Sequence, residues 1–221
     1  MHKHQLTITL AALGVTLVTL VTPAARAAEG DGGPGDDAGL HIGVDSDPSM
    51  FALGGYSAWL TGRVPLGNGL RLGGGLFALD VPAPVSTLLN GGIDGFHMRL
   101  NGYMAHASYF LTRDGRGGLY SGAYVGALET QYRRAEAPKD VASVWHATVM
   151  PMIGYQWFPL ENDEFHVGDF PLRSVLAGFY VEPWLGASIW FPVAGEPVVA
   201  GKRFHEPPGV PFPAVHIGWE L

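Results

Sequence analysis

The residues Phe212-Pro213-Ala214-Val215-His216-Ile217-Gly218-Trp219-Glu220-Leu221 alternate in character. Val215, Ile217, Trp219 and Leu221 fall on one side, and His216, Gly218 and Glu220 on the other. A period of two predicts a strand with one apolar face and one polar or small face. A terminal strand needs a partner to tie it down, because free termini otherwise fray. The rest of the chain is therefore expected to supply further strands, and this segment is expected to close the sheet they form.

Composition agrees with an all-β reading. Of 221 residues, 47% are hydrophobic and only 15% charged, with 32 glycines and 17 prolines. Low charge with this much apolar character argues against disorder, and so many glycines and prolines argue against a helical bundle. A net charge of −7 offers no basic patch to neutralise phosphates, so nucleic acid is not an expected partner. There are no cysteines, hence no disulfide, thiolate metal site, thiol nucleophile or cysteine-borne lipid anchor.

The first residues predict a route across a membrane. Met1-His2-Lys3-His4 is basic, Leu6 to Val21 is apolar, and Ala25-Arg26-Ala27 is a small-x-small cleavage site. This is the pattern of a secretory signal peptide, here 1–27, and the apolar run is short for a span of ~20 residues. An acidic glycine-rich leader, 28–39, follows. Residues 40–221 form the expected domain. They contain no second long apolar run, so a membrane could be crossed only by a closed barrel, the other fold that satisfies its backbone in lipid.

Eight strands are expected in 40–221: Leu40–Val44, Phe51–Val64, Leu70–Leu79, Phe96–Thr112, Leu119–Arg133, Ser143–Phe158, Val175–Phe191 and the closing strand. Pro65-Leu-Gly-Asn-Gly69 and Arg113-Asp-Gly-Arg-Gly-Gly118 read as tight turns. Asp80–Gly95 and Arg134–Ala142 read as loops, as do Pro159–Ser174 and Pro192–Pro211. Trp145 and Trp157 lie twelve residues apart on one face, as do Tyr120 and Tyr132. At ~3.3 Å per residue and a tilt of ~40° that spacing covers roughly 30 Å, enough to put one aromatic in each girdle of an apolar band.

With these strands, spacings and terminus, the chain resembles the small eight-stranded outer-membrane barrels of the OmpA, OmpX or OmpW type. The resemblance implies an eight-stranded antiparallel transmembrane β-barrel in the bacterial outer membrane. Its partners would be outer-membrane lipid and the barrel-assembly machinery, and its role structural, adhesive or small-solute, without catalysis or cofactor. Trp145, Trp157, Tyr120 and Tyr132 would form the girdles. Arg99, Glu129, Glu182 and Arg133 would pair inside, with Arg71 and Glu220 as further members, because inward charges in a filled barrel must be compensated.

Two other functions are open on the sequence. His106 and Ser108 form a His-x-Ser pair similar to that of outer-membrane lipid A deacylases. Ester hydrolysis needs the hydroxyl near an imidazole that a carboxylate orients, but Tyr120 stands where that family places its acid. A secreted soluble barrel holding a small apolar ligand, as lipocalins do, is the other. The remaining histidines (His41, His97, His146, His166, His205, His216) do not cluster at metal-ligand spacing. Gly73-Gly74-Gly75 sits in a strand with no helix after it, so it cannot present helix N-terminal amides to phosphate.

Overall fold

A computed structural model describes residues 40–221 apart from 65, 68, 113–115, 161–165, 168–169 and 172–175. The expected signal peptide and leader lie outside the described residues, as do parts of both tight turns and of the 159–174 connection.

Eight antiparallel strands close into a barrel. They are β1 (His41–Ser46), β2 (Tyr56–Val64), β3 (Leu70–Val81), β4 (Phe96–Phe110), β5 (Gly118–Arg134), β6 (Ala137–Gln156), β7 (Phe179–Ala194) and β8 (Gly209–Glu220). Each pairs with its sequence neighbours, and β8 closes the ring on β1 through Gly43↔Glu220 and Val44↔Trp219. Register pairs lead around the ring from Val44 through Leu60, Gly74, Ala105, Val125, Val149 and Ile189 to Gly209. The seam register, extended, sets Gly209 opposite position 54, ten residues beyond the start. A stagger of that size in eight strands tilts them by roughly 40° and leaves an interior that side chains just fill.

The wall is uneven. β4, β5, β6 and β7 run 15, 17, 20 and 16 residues, against 6 for β1 and 9 for β2. The low side is capped by two short helices, α1 (Pro48–Ala52) and α2 (Ala83–Leu89), in stretches the sequence placed in a strand start and a loop. Asp47 caps α1 by accepting the Ser49 amide at 2.8 Å, and Met50 is buried beneath it. The expected loop 134–142 shrinks to residues 135–136, because the β5–β6 ladder continues past its Arg133 bulge to Arg134↔Ala137.

Outward faces follow the alternation. Val215, Ile217 and Trp219 on β8 with Leu221 just after it, Leu185, Ile189 and Phe191 on β7, and Trp145 and Ile153 on β6 with Trp157 just after it all point away from the lumen. Phe179 and Phe191 repeat on β7 the twelve-residue spacing of Trp145 and Trp157 on β6. Two expected girdle residues do not belong to this face: Tyr120 and Tyr132 are fully buried in the lumen. On β4 and β5 the apolar row points in, and small residues such as Ala105, Ala123 and Ala127 point out. Gly73 and Gly75 face inward because rings occupy the space beside them. A Cβ on Gly73 would stand 2.6 Å from the His106 ring, and one on Gly75 2.5 Å from Trp59.

Candidate functional site

The lower lumen, at the end where β1 begins and β8 ends, holds a buried ionic lock. Arg71 from β3 reaches across to Glu182 on β7 and, at 3.0 Å, to Asp45 on β1; all three side chains are at most 2% exposed. Tyrosines complete it. The Tyr120 hydroxyl donates to Glu182 at 2.6 Å, and that of Tyr180 donates to Asp45 at 2.7 Å. His216 Nδ1 lies 3.1 Å from the other Asp45 oxygen. Gly218 leaves room for this: a Cβ there would meet the Tyr180 ring and, at 2.6 Å, Asp45.

A second layer closes the opening below. Arg63 pairs with Glu220 at 3.1 Å and donates to Gln156 and to the Arg116 carbonyl. Its guanidinium stacks 4.5 Å from the Phe110 ring centre. Arg116 adds a 3.3 Å contact to Glu220. Arg63, Arg71 and Arg116 thus stand against Asp45, Glu182 and Glu220, so the plug is charge-balanced. Balance is what makes it tolerable, since a buried charge left alone costs several kcal/mol.

Of the four expected interior residues only Glu182 faces the lumen. Arg99, Glu129 and Arg133 point outward, which corrects their assignment to the interior. Arg99 pairs with the exposed Asp80 at 2.9 Å. Glu129 accepts from Asn101 at 3.1 Å and from Ser143. The reason is cross-strand parity: Glu129 lies directly opposite Trp145, and opposed residues share a face. If Trp145 is outward, Glu129 is too. Arg63, Gln156, Tyr120, Tyr180 and Asp45 were missed as members. For Asp45 and Arg63 the signal available was a polar or small inward row on β1, β2 and β8 at one barrel end.

Above the lock the lumen becomes aromatic, then aliphatic. Trp59, Tyr124 and Trp184 form a layer with ring centres 5.1 and 5.3 Å apart, and Trp59 stacks on His216. Higher still, Phe77, Met104, Met150 and Phe212 pack together, and Leu100, Leu128 and Trp190 follow. Two voids between these layers measure about 10 and 20 Å³, room for about one water each. Neither holds a small apolar ligand.

His106 and Ser108 both face this interior and are buried. His106 packs edge-on to Tyr124, with ring centres 4.9 Å apart. Neither its nitrogens nor the Ser108 hydroxyl has a hydrogen-bond partner among the described residues. The hydroxyl is not poised on the imidazole, among the described residues no carboxylate hydrogen-bonds the ring, and both groups are buried. Among the described residues no three side chains converge as metal ligands.

At the far end the loop 195–208 folds back over the opening. Phe204 is buried against Phe96 and Tyr132, and Glu206 accepts from the Tyr132 hydroxyl at 2.5 Å beside His146 Nε2 at 3.2 Å. Burial alone would raise the Glu206 pKa. The Tyr132 hydrogen bond and the adjacent His146 imidazole, with the Arg203 charge nearby, outweigh it and hold the carboxyl below its ordinary value. A depressed carboxylate contributes its stabilisation above the unfolded pKa and loses it as pH falls through the folded one. The loop is therefore expected to stay latched at neutral pH and to loosen in acid below the ordinary glutamate range. Hydrogen exchange at the Phe204 and His205 amides, corrected for intrinsic rates, should show the acid opening. Glu206→Gln should show it already at neutral pH, and equal protection in both proteins would sink the latch.

Comparison with protein-family models, with curated proteins and with solved structures finds no match for the chain, so the site is read from its own geometry.

Proposed function

We propose that the protein is an integral β-barrel of the bacterial outer membrane with a structural or adhesive role, and that it neither conducts nor catalyses. One observation carries this reading. Apolar side chains face outward on all eight strands, with aromatic residues at both edges, around a lumen packed with rings and locked by ion pairs. On β6 and β7 the aromatic edges lie twelve residues apart, roughly 30 Å along the axis at this tilt, which suits an apolar band ~25 Å tall with its girdles. Water outside such a band would meet Leu60, Leu185, Ile153, Phe191 and Ile217, each more than a third exposed. Lipid contact offsets that exposure at about 25 cal/mol per Å² of apolar surface.

A soluble ligand-binding barrel would need space inside, and among the described residues the two voids between the lumen layers measure only about 10 and 20 Å³. A lipid-modifying enzyme working through His106 and Ser108 would need them at the outer wall, and they lie in the core. The uneven wall also fits a membrane protein whose tall β4–β7 side rises past the hydrocarbon to headgroup level, where the outer face turns to Arg99, Glu129, Gln131 and Arg133.

Leu185 sits mid-band on β7 and tests the reading. In lipid, Leu185→Arg should cost about 2–4 kcal/mol at the midplane; on a soluble barrel an exposed site would change by ~0.5 kcal/mol or less. Fractionation with a detergent gel gives the parallel readout. Recovery in the outer-membrane fraction with heat-modifiable migration is expected, and recovery in the soluble periplasm would overturn the proposal.

A further inference from the structure

Two hollows of opposite chemistry lie one above the other on the outer wall. The lower, about 750 Å³, is formed by Tyr103, Ala105, Val125, Ala127, Val149 and Phe191. It exists because small residues on β4, β5 and β6 leave a depression between larger ones. The upper, about 810 Å³, is lined by Asp80, His97, Arg99, Gln131, Arg133 and Arg134 among others. The ladder joins them: His97↔Arg133, Arg99↔Gln131, Asn101↔Glu129, Tyr103↔Ala127 and Ala105↔Val125 are consecutive outward pairs. Charge thus gives way to polar, aromatic and small apolar residues within eight positions of one strand. The Tyr103 and Trp145 rings stack 6.4 Å apart across β5 and mark the boundary.

The upper hollow is cationic. Arg99, Arg133 and Arg134 line it against the single carboxylate of Asp80, which engages Arg99 Nη1, while the Arg134 guanidinium lies over the Phe96 ring. Glu129 nearby is held by Asn101 and Ser143, and Glu136 by Arg134. Arg133 is exposed and makes no ion pair among the described residues.

We propose that this wall is a binding site for one anionic phospholipid, its phosphate on Arg99 and Arg133 and an acyl chain in the apolar hollow. The proposal rests on the membrane-barrel reading and adds a place and a headgroup charge to it. Ordinary annular lipid would need neither the hollow nor the guanidinium excess. A peptide strand would seek a free sheet edge, which a closed ring does not offer. Arginine suits the headgroup because its N–H fork matches phosphate oxygens, and Arg99 keeps donors beyond the one given to Asp80.

The test uses the full folded protein in non-ionic micelles and native mass spectrometry, with phosphatidylglycerol and phosphatidylcholine of identical chains as probes. One phosphatidylglycerol should be retained in preference to phosphatidylcholine. R99Q and R133Q should each weaken retention about fivefold, the factor a basic side chain near an anionic surface is worth. Ala127→Trp, which fills the lower hollow, should weaken it as well, while Arg203→Gln on the far loop should not. Heat-modifiable migration confirms that each variant is folded. Equal retention of the two lipids, or retention indifferent to R99Q and R133Q, would overturn the site. So would a dimer trapped by cross-linking through Ala127→Cys, which would give the hollow to a second copy. Failure of the membrane reading would show separately, as protein in the soluble fraction whatever lipid it prefers.

Discussion

Replacing Arg71 by methionine is expected to lower the barrel's stability by about 3–5 kcal/mol, the cost of leaving buried charges unpaired. The side chain would fit, so the loss would come from what remains. Glu182 and Asp45 stay buried in the lumen without the guanidinium that bridged them, each with one tyrosine hydroxyl and Asp45 also with the His216 imidazole. If that mechanism is right, removing the anions as well should recover most of the loss. Arg71→Met with Asp45→Asn and Glu182→Gln is therefore expected to be more stable than Arg71→Met alone, a non-additivity that neighbours in one network show. Guanidinium unfolding of the detergent-held protein, followed by tryptophan fluorescence, measures both. A single substitution costing less than ~1 kcal/mol would mean the cluster is not what holds the lower lumen together. Neither variant is expected to conduct, because the Trp59, Tyr124 and Trp184 layer above the lock stays in place.

This contrast explains which parts of the molecule could be read from its residues. The ring of eight strands was legible because alternation and turn chemistry are local, and β6, β7 and β8 carry most of their outward large apolar residues, such as Trp145, Ile153, Leu185, Ile189, Val215 and Ile217, in that alternation. On β4 and β5 the same rule misleads. Their upper halves rise past the apolar band, so water lies outside and a packed core inside, and the polar row faces out as it would in a soluble protein. Phe96, Met98, Tyr124 and Tyr132 are therefore interior residues, and Arg99, Glu129 and Arg133 exterior ones. Lower down, the outer face of β5 is only Ala123, Val125 and Ala127, too small to mark itself as the outward side. One piece of information would have resolved it: the β5–β6 register, which sets Glu129 opposite Trp145. That register depends on a two-residue turn at 135–136, hidden because Ala137 to Ala142 read as loop.

The lock was less legible for a different reason. Arg71 and Glu182 are 111 positions apart, and only ring closure brings β3 and β7 within reach across the lumen. Sequence could say that inward charges must pair; it could not say with which partners. The glycines of β3 show the same limit. Gly73-Gly74-Gly75 blurred the strand pattern, and the rings of His106 and Trp59 that need the space come from other strands.

Removing Trp219, Glu220 and Leu221 is expected to abolish assembly of the barrel altogether. β1 is six residues long, so the seam it makes with β8 is short: Gly43↔Glu220, Val44↔Trp219, Asp45↔Gly218 and Ser46↔Ile217. The truncation deletes the first two pairs and the reciprocal hydrogen bonds between Ile42 and Leu221. It also removes the carboxylate of Glu220, leaving Arg63 and Arg116 without their shared anion in the lower layer. What is left is a seam of two pairs, Asp45↔Gly218 and Ser46↔Ile217, beside which the ends of β1 and β8 expose unpaired amides and carbonyls, each costing several kcal/mol in hydrocarbon. Two point variants separate the contributions. Glu220→Gln keeps the seam and weakens only the lower layer, so it should still migrate as a heat-modifiable barrel with reduced stability. Leu221→Ala keeps both backbone bonds to Ile42 and should assemble. If the truncated chain entered the membrane fraction as a folded barrel, the seam would not be the closing step, and the role of Val215, Ile217, Trp219 and Leu221 would shrink to lipid contact alone.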